Sequence, residues 1–243
     1  MSLKIVDRQS HATGHKRNPG FPLDLDWVER VRMNRSALER RAGTIGARRS
    51  VKKDHQLAWL LKAVSLMDLT TLNSDDTPGR VERLCAKARN PIRADLVEAM
   101  GVKKLGITPA AVCVYHNFVA TAVKALEGTN IPVAAVSTAF PHGLTPLKIR
   151  LAEIEASVED GAKEIDIVIE RGMVLSGDWQ GLYDQVRAMR AACGEAHLKT
   201  ILGTGELATL TNVAKASLVC MLAGADFIKT STGKEKTNAT LPT

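Results

Sequence analysis

The chain has 243 residues, 45% of them hydrophobic and 24% charged, an ordinary globular composition that excludes collagen-like, low-complexity and disulfide-scaffold classes. The formal net charge of +7 is local: residues 1–60 hold 13 Lys/Arg and 6 Asp/Glu, whereas residues 61–243 hold 20 of each sign. No apolar run approaches the ~18–20 residues of a membrane span, and the 4% aromatic content carries no RNA-recognition pattern, so neither a membrane nor a specific nucleic-acid partner is expected.

Residues 1–22 mix His, Lys, Arg, Gly and Pro without periodicity and read as a disordered basic tail. They lack the apolar stretch of a secretory signal, and Asp7 argues against a transit peptide, so a cytoplasmic location is expected. Residues 23–62 read as a helical extension: Leu25, Val28, Val31, Leu38 and Ile45 are spaced for one face of interrupted helices, followed by a helix over about 50–62. Residues 63–243 alternate β-rich runs with helical ones. The strand runs are SLMDLTTL (65–72), AAVCVY (110–115), PVAAVST (132–138), EIDIVIE (164–170), LKTILGT (198–204) and DFIKTST (226–232). The clearest helix follows Thr145, a candidate cap, with Pro146 at its first position. Leu147, Leu151, Ile154 and Val158 line one face, and Gly161 ends it. Residues 178–193 and 207–223 behave likewise. This alternation predicts parallel strands with right-handed crossovers, the pattern of an α/β barrel.

In such a barrel one strand face meets the helices and the other the axis. A period of two puts Ile165, Ile167 and Ile169 toward the helices and Asp166, Val168 and Glu170 on the other face. Asp68 shares a face with Leu66 and Thr70, Lys229 with Phe227 and Ser231, Lys199 with Ile201. Several strands thus carry an ionisable group at mid-run. Unpaired buried charges are costly, so these residues must pair with one another or serve a function.

Other chemistries fit poorly. Gly203-Thr-Gly205-Glu-Leu-Ala208 matches a dinucleotide fingerprint with Asp226 downstream, but Asp226 opens its strand where the ribose-binding acid should close it. Ser231-Thr-Gly233-Lys234 resembles the end of a phosphate loop, but Ile228 and Glu235 stand where a glycine and a hydroxyl residue are needed. Cys85, Cys113, Cys193 and Cys220 form no CxxC pair and read as reduced core residues. None of the six histidines has metal-ligand spacing, so no catalytic metal is expected. There is no GxSxG nucleophile elbow.

A lysine in an apolar strand remains. A free lysine, pKa about 10.4, is neutral about 0.04% of the time at pH 7. Burial and neighbouring cations lower that pKa, and a shift to about 7–8 would raise the neutral fraction by roughly two to three orders of magnitude. Lys229, flanked by Phe227 and Ile228 with Lys199 and Lys234 near in strand order, is the candidate for imine chemistry on a carbonyl substrate.

Phe227-Ile-Lys229-Thr-Ser-Thr-Gly-Lys234 resembles the signature of the deoxyribose-phosphate aldolase family. The likeness extends to Asp68-Leu-Thr-Thr-Leu72, Cys113-Val-Tyr115, Phe140-Pro-His-Gly143, Glu164-Ile-Asp166-Ile-Val-Ile169 and Leu198-Lys-Thr-Ile-Leu202. It runs from about Asp24 to the last residue and is strongest with the longer, eukaryote-like branch. The resemblance implies a TIM (β/α)8 barrel and a class I aldolase acting on a sugar phosphate without cofactor or metal, in deoxyribonucleoside catabolism. It implies Lys229 as Schiff-base lysine and Asp166 as acid/base. Asp68, Thr70, Cys113, Lys199, Thr232, Gly233 and Lys234 would line or hold the substrate. A homo-oligomer is among the states the sequence admits.

The sequence also departs from that pattern. Six strand runs stand where the barrel needs eight, leaving strands one and six as edges. The family's second lysine, in a Lys-Pro-Ala-Gly-Gly context, has no counterpart. The expectation is a fragment of a longer protein or a truncated product with weak turnover. Two other readings stay open: an inactive interaction module relying on the basic arm, and an imine-forming aldolase for a different sugar phosphate.

Overall fold

The computed structural model of the chain describes residues 16–48 and 50–243. Three helices precede the sheet: α1 (Leu25–Arg30), α2 (Arg35–Gly43) and α3 (Lys53–Val64). The first two start on side-chain caps, Asp24 accepting from the Trp27 N–H and Asn34 from the Ala37 N–H, which satisfies donors a helix start leaves free.

Then come β1 (Asp68–Thr70), α4 (Pro78–Arg89), α5 (Ala94–Ala99), β2 (Ala111–Tyr115), α6 (Val119–Ala125), β3 (Val133–Ser137), α7 (Leu147–Glu159) and β4 (Glu164–Val168). They are followed by α8 (Arg171–Ser176), α9 (Trp179–Ala192), β5 (His197–Ile201), α10 (Leu210–Leu222) and β6 (Phe227–Lys229). All six strand runs form strands. They pair in parallel in sequence order, β1 to β6. Among the described residues β1 pairs only with β2 and β6 only with β5. The sheet curls strongly enough for Lys199 of β5 to reach Asp68 of β1 at 2.6 Å. This is an incomplete TIM barrel, six strands of a wall closed by side chains rather than by a strand ladder.

Two layers of packing hold it. The outer face of the sheet places Val112, Val114, Ala135, Ile165, Ile167 and Leu198 against Ile154 of α7, Leu182 and Met189 of α9 and Val219 of α10, all fully buried or nearly so. Each such large aliphatic contributes roughly 1.5–3 kcal/mol by leaving water. The inner face is lined by Ala111, Cys113, Ala134 and Val136, with Leu72, Tyr115 and Phe140. These small side chains leave space at the axis for long ones from β5 and β6.

The helix after β3 begins one residue later than its sequence suggests. Pro146 is the cap, with ψ 141°, and Leu147 is the first helical residue. Gly161 ends the turn at φ +102°, where a Cβ would approach Val123 Cγ2 to 3.2 Å.

The expected tail falls in two parts. Residues 1–15 lie outside the described residues. Residues 16–22 lie against α10 and the start of β6: Phe21 N–H donates to Leu222 O at 2.7 Å, and the Asn18 side chain donates to Met221 O and Ala225 O. In the extension, α1 docks on α10, with Val28 fully buried and Lys215 Nζ 2.8 Å from Glu29. By contrast α3 buries no residue. Trp59 and Leu60 of α3 are exposed, as are Leu66 just before β1 and Phe227 at the start of β6, the two edge strands. Among the described residues no helix is long and apolar enough to cross a membrane.

Candidate active site

Period-two alternation carries charge to the axis. Asp166 is the third residue of β4, between Ile165 and Ile167, which face the helices. In register it sits opposite Lys199 of β5, while Lys229 of β6 sits opposite Ile201, two residues further along. The side chains converge. Lys229 Nζ lies 2.6 Å from Asp166 Oδ2. Lys199 Nζ lies 2.6 Å from Asp68 Oδ2, 2.5 Å from Glu164 Oε2 and 3.6 Å from Asp166 Oδ1. Asp166 is wholly buried, whereas the Lys229 side chain keeps 31% exposure. The amine can therefore be reached from solvent and its carboxylate partner cannot.

Two lysines thus meet three carboxylates. The third, Glu164, was not singled out from sequence, although it shares the parity of Asp166. The alternation predicts Glu170 on that face, and the structure puts it elsewhere. The strand ends at Val168, alternation lapses, and Glu170 turns to Arg150 at 3.4 Å and Gln185 at 3.2 Å.

Of the other residues singled out, Cys113 is fully buried on the inner face of β2. Thr70 is exposed, and its hydroxyl donates to Asp68 O at 3.1 Å. Thr232 is buried; Gly233 and Lys234 are exposed. These three form a loop of their own, with Gly233 at φ +81° and Lys234 N–H donating to Thr232 Oγ1 at 3.1 Å. Among the described residues that loop makes no hydrogen bond or ion pair with the lysine–carboxylate cluster. Tyr115 and Phe140 meet edge to face, with centroids 5.7 Å apart, beside the inner layer.

The electrostatics correct one expectation. Burial alone would depress Lys229, but the Asp166 charge and hydrogen bond, together with Cys113, outweigh burial and the Lys199 cation, so its pKa is raised. Lys199 is raised as well: desolvation opposes, and Asp166, Glu164 and Asp68 win. Burial pushes the Glu164 carboxyl up against the pull of Lys199. Burial, reinforced by Asp166, pushes the Cys113 thiol up to about 12. In this arrangement Lys229 is an ammonium whose nearest proton acceptor is Asp166.

The glycines of the dinucleotide-like run have a packing role. At Gly203 (φ +67°) a Cβ would meet Arg171 Nε at 2.8 Å, and at Gly205 it would meet Thr237 O at 2.0 Å. Asp226 holds the opposite end of the sheet, accepting from Asn18 N–H, Leu198 N–H and Arg190 at 2.7–3.0 Å.

The family described as DeoC/LacD family aldolase matches residues 62–242. The human protein named deoxyribose-phosphate aldolase is 60% identical over 227 residues, covering 93% of this chain and 71% of the relative. Its mouse counterpart is 63% identical over 225 residues, covering 92% and 71%. Among solved structures, a candidate deoxyribose-phosphate aldolase from Coccidioides immitis superposes with a TM-score of 0.66 at 25% identity, covering 86% of this chain and 77% of that one. The aldolase QR15 gives 0.61 at 27% identity, covering 73% and 71%. A curled parallel sheet with paired lysines and carboxylates on its axis, a family match over three quarters of the chain and relatives this similar lead to one conclusion: the chain belongs to the DeoC/LacD family of aldolases.

Proposed function

We propose that this chain is a deoxyribose-phosphate aldolase that cleaves 2-deoxy-D-ribose 5-phosphate reversibly to acetaldehyde and glyceraldehyde 3-phosphate through an imine on Lys229. The observation that carries the reading is the Lys229–Asp166 pair: an accessible amine 2.6 Å from a buried carboxylate. It stands in a chain 60% identical to a relative of that name.

The steps follow from this pair. Asp166 takes a proton from Lys229, and the neutral amine adds to C1 of the open-chain sugar. The carbinolamine loses water, with a proton delivered to the departing hydroxyl, and leaves a protonated imine. Loss of the C3 hydroxyl proton then drives cleavage of the C2–C3 bond. The bonding electrons move into the imine, which becomes an enamine, and C3 leaves as the aldehyde of glyceraldehyde 3-phosphate. Protonation of the enamine at C2 and hydrolysis release acetaldehyde and regenerate Lys229. The protonated imine is itself the electron sink, so neither metal nor cofactor enters the scheme. Lys199 keeps the cluster of carboxylates charged and ordered. Asp68 and Thr70 place hydroxyls and water, Cys113 gives the pocket a neutral wall, and the loop of Thr232, Gly233 and Lys234 meets the phosphate end through the Lys234 side chain. The same reading takes the enzyme as cytoplasmic, consistent with four free buried cysteines, and as a homo-oligomer.

The test is borohydride trapping with 2-deoxyribose 5-phosphate and peptide mapping by mass spectrometry. A reduced adduct on Lys229 is expected. Absence of any adduct there, in folded protein, overturns the reading.

A further inference from the structure

The loops that follow the strands hold a second charged cluster, which the reaction scheme does not use. Arg171, the first residue of α8, crosses the rim beneath Gly203. Its Nε lies 2.5 Å from Glu206 Oε2, on the loop after β5. Both terminal nitrogens lie 3.4 Å from Pro141 O, on the loop after β3. One of them lies 3.8 Å from Glu235 Oε1, on the loop after β6. Arg171 itself stands just after β4. One guanidinium therefore ties together four consecutive loops on the rim where Lys229 ends its strand. The crossing explains Gly203, since any side chain there would displace the guanidinium.

Glu235 is the inner partner. Its side chain is 1% exposed, and its carboxylate accepts from Thr232 N–H at 3.0 and 3.1 Å and from Gly233 N–H at 3.2 Å. A carboxylate so buried needs a counter-charge, and Arg171 supplies it. The backbone donors of the 232–234 loop are thus spent on holding the loop's own shape. What the loop still presents to solvent is the Lys234 side chain.

We infer that Arg171 and Glu235 are positioning residues for phosphate selectivity: the carboxylate, held by the guanidinium, fixes the 232–234 loop so that Lys234 meets the phosphate end of a substrate whose carbonyl is at Lys229. This rests on the aldolase reading above, and it assigns the preference for a phosphorylated sugar to residues that touch neither the phosphate nor the reacting carbons. Arginine suits the role because its planar fork can face three partners at once, which a lysine cannot.

The test uses the full 243-residue chain and the variants E235Q, R171M and R171K, with circular dichroism to confirm folding. The half-saturating concentration for borohydride trapping on Lys229 is measured with 2-deoxyribose 5-phosphate and with unphosphorylated 2-deoxyribose. E235Q and R171M are expected to raise the value about tenfold for the phosphorylated sugar, the scale of losing one charge-assisted hydrogen bond. The value for the unphosphorylated sugar is expected to stay put, with partial rescue in R171K. Equal shifts for both sugars, or none for either, overturn the inference. Amide hydrogen exchange is the companion measurement. In R171M the Thr232 and Gly233 amides should exchange faster, although Arg171 bonds neither, while those of Ile165 and Ile167 hold. Unchanged exchange at Thr232 and Gly233 overturns the inference. An unsubstituted chain that traps neither sugar counts against the aldolase reading instead, and the exchange result still decides whether Arg171 shapes the loop.

Discussion

Lys229 Nζ and Asp166 Oδ2 lie 2.6 Å apart, one on the last residue of β6 and the other on the middle residue of β4. The strand between them, β5, sends Lys199 to the other oxygen of the same carboxylate at 3.6 Å. Asp166 therefore takes a cation on each side, and its charge raises both lysines.

From this arrangement D166N has a signed consequence. Removing the carboxylate charge removes the largest influence that raises Lys229, so burial and Lys199 are left to lower its pKa. The pH midpoint for modification of Lys229 by an amine-reactive reagent should move down in D166N. At the same time turnover should fall by about two to four orders of magnitude, the usual scale for losing a proton-transfer group. A more nucleophilic lysine in a slower enzyme separates proton transfer from amine activation. An unchanged midpoint would mean that the ion pair does not set the charge state of Lys229.

The cluster around Lys199 predicts unequal variants. K199M leaves three buried or half-buried carboxylates facing one another without their shared cation and should destabilise the fold by about 3–5 kcal/mol. E164Q removes the carboxyl whose pKa burial raises and leaves two carboxylates for two lysines, so its loss in denaturant titration should be much smaller. The pH sign follows from the direction of each shift. Lys199 is raised in the fold, so its contribution is complete below the unfolded lysine pKa of about 10.4 and is lost as pH rises through the higher folded value. Glu164 is raised, so the native state loses stability as pH climbs from about 4.3 through its folded value, and E164Q should flatten that decline.

Much of this was legible in the chain because alternation is a two-residue rule. Ile165 and Ile167 had to face the helices, which sent Asp166 inward, and the same parity located Lys199 and Lys229. Parity failed where the strand stopped: Glu170 lies two residues past Val168 and turns to Arg150. Glu164 lay within reach of the same rule extended backward. The docking of residues 16–22 depends on Asn18 meeting carbonyls more than 200 residues away, and no local pattern encodes that. The raised pKa of Lys229 was also invisible, because its sign depends on whether Asp166 or Lys199 comes closer, a matter of register rather than composition.

The four cysteines give a simple chemical readout. All are buried and free, and burial pushes Cys113, Cys193 and Cys220 up to about 12. Thiolate is the reactive form, so the native protein should resist a small alkylating reagent at pH 8 and should react at all four positions only in denaturant. Rapid native labelling of Cys113 would show that the inner face of β2 opens to solvent.

Asp226 offers a control that separates fold from chemistry. Its carboxylate accepts from Asn18 N–H at 2.7 Å, Leu198 N–H at 2.8 Å and Arg190 Nη1 at 3.0 Å, and its side chain is 6% exposed. D226A would strand two backbone donors and a guanidinium that is itself 10% exposed. Leaving such groups unpaired costs about 1–3 kcal/mol for each neutral donor and about 3–5 kcal/mol for a buried ion pair broken on one side, with overlap between them. A loss on the order of 3–5 kcal/mol is expected in denaturant titration. D226N keeps one acceptor and should lose less. Because Asp226 precedes β6 and Lys229 ends it, the amount of borohydride adduct on Lys229, per folded molecule, should stay the same in both variants. A fall in adduct that exceeds the folded fraction would mean that Asp226 acts on the chemistry and not only on the seam between the N-terminal segment, α9 and β5.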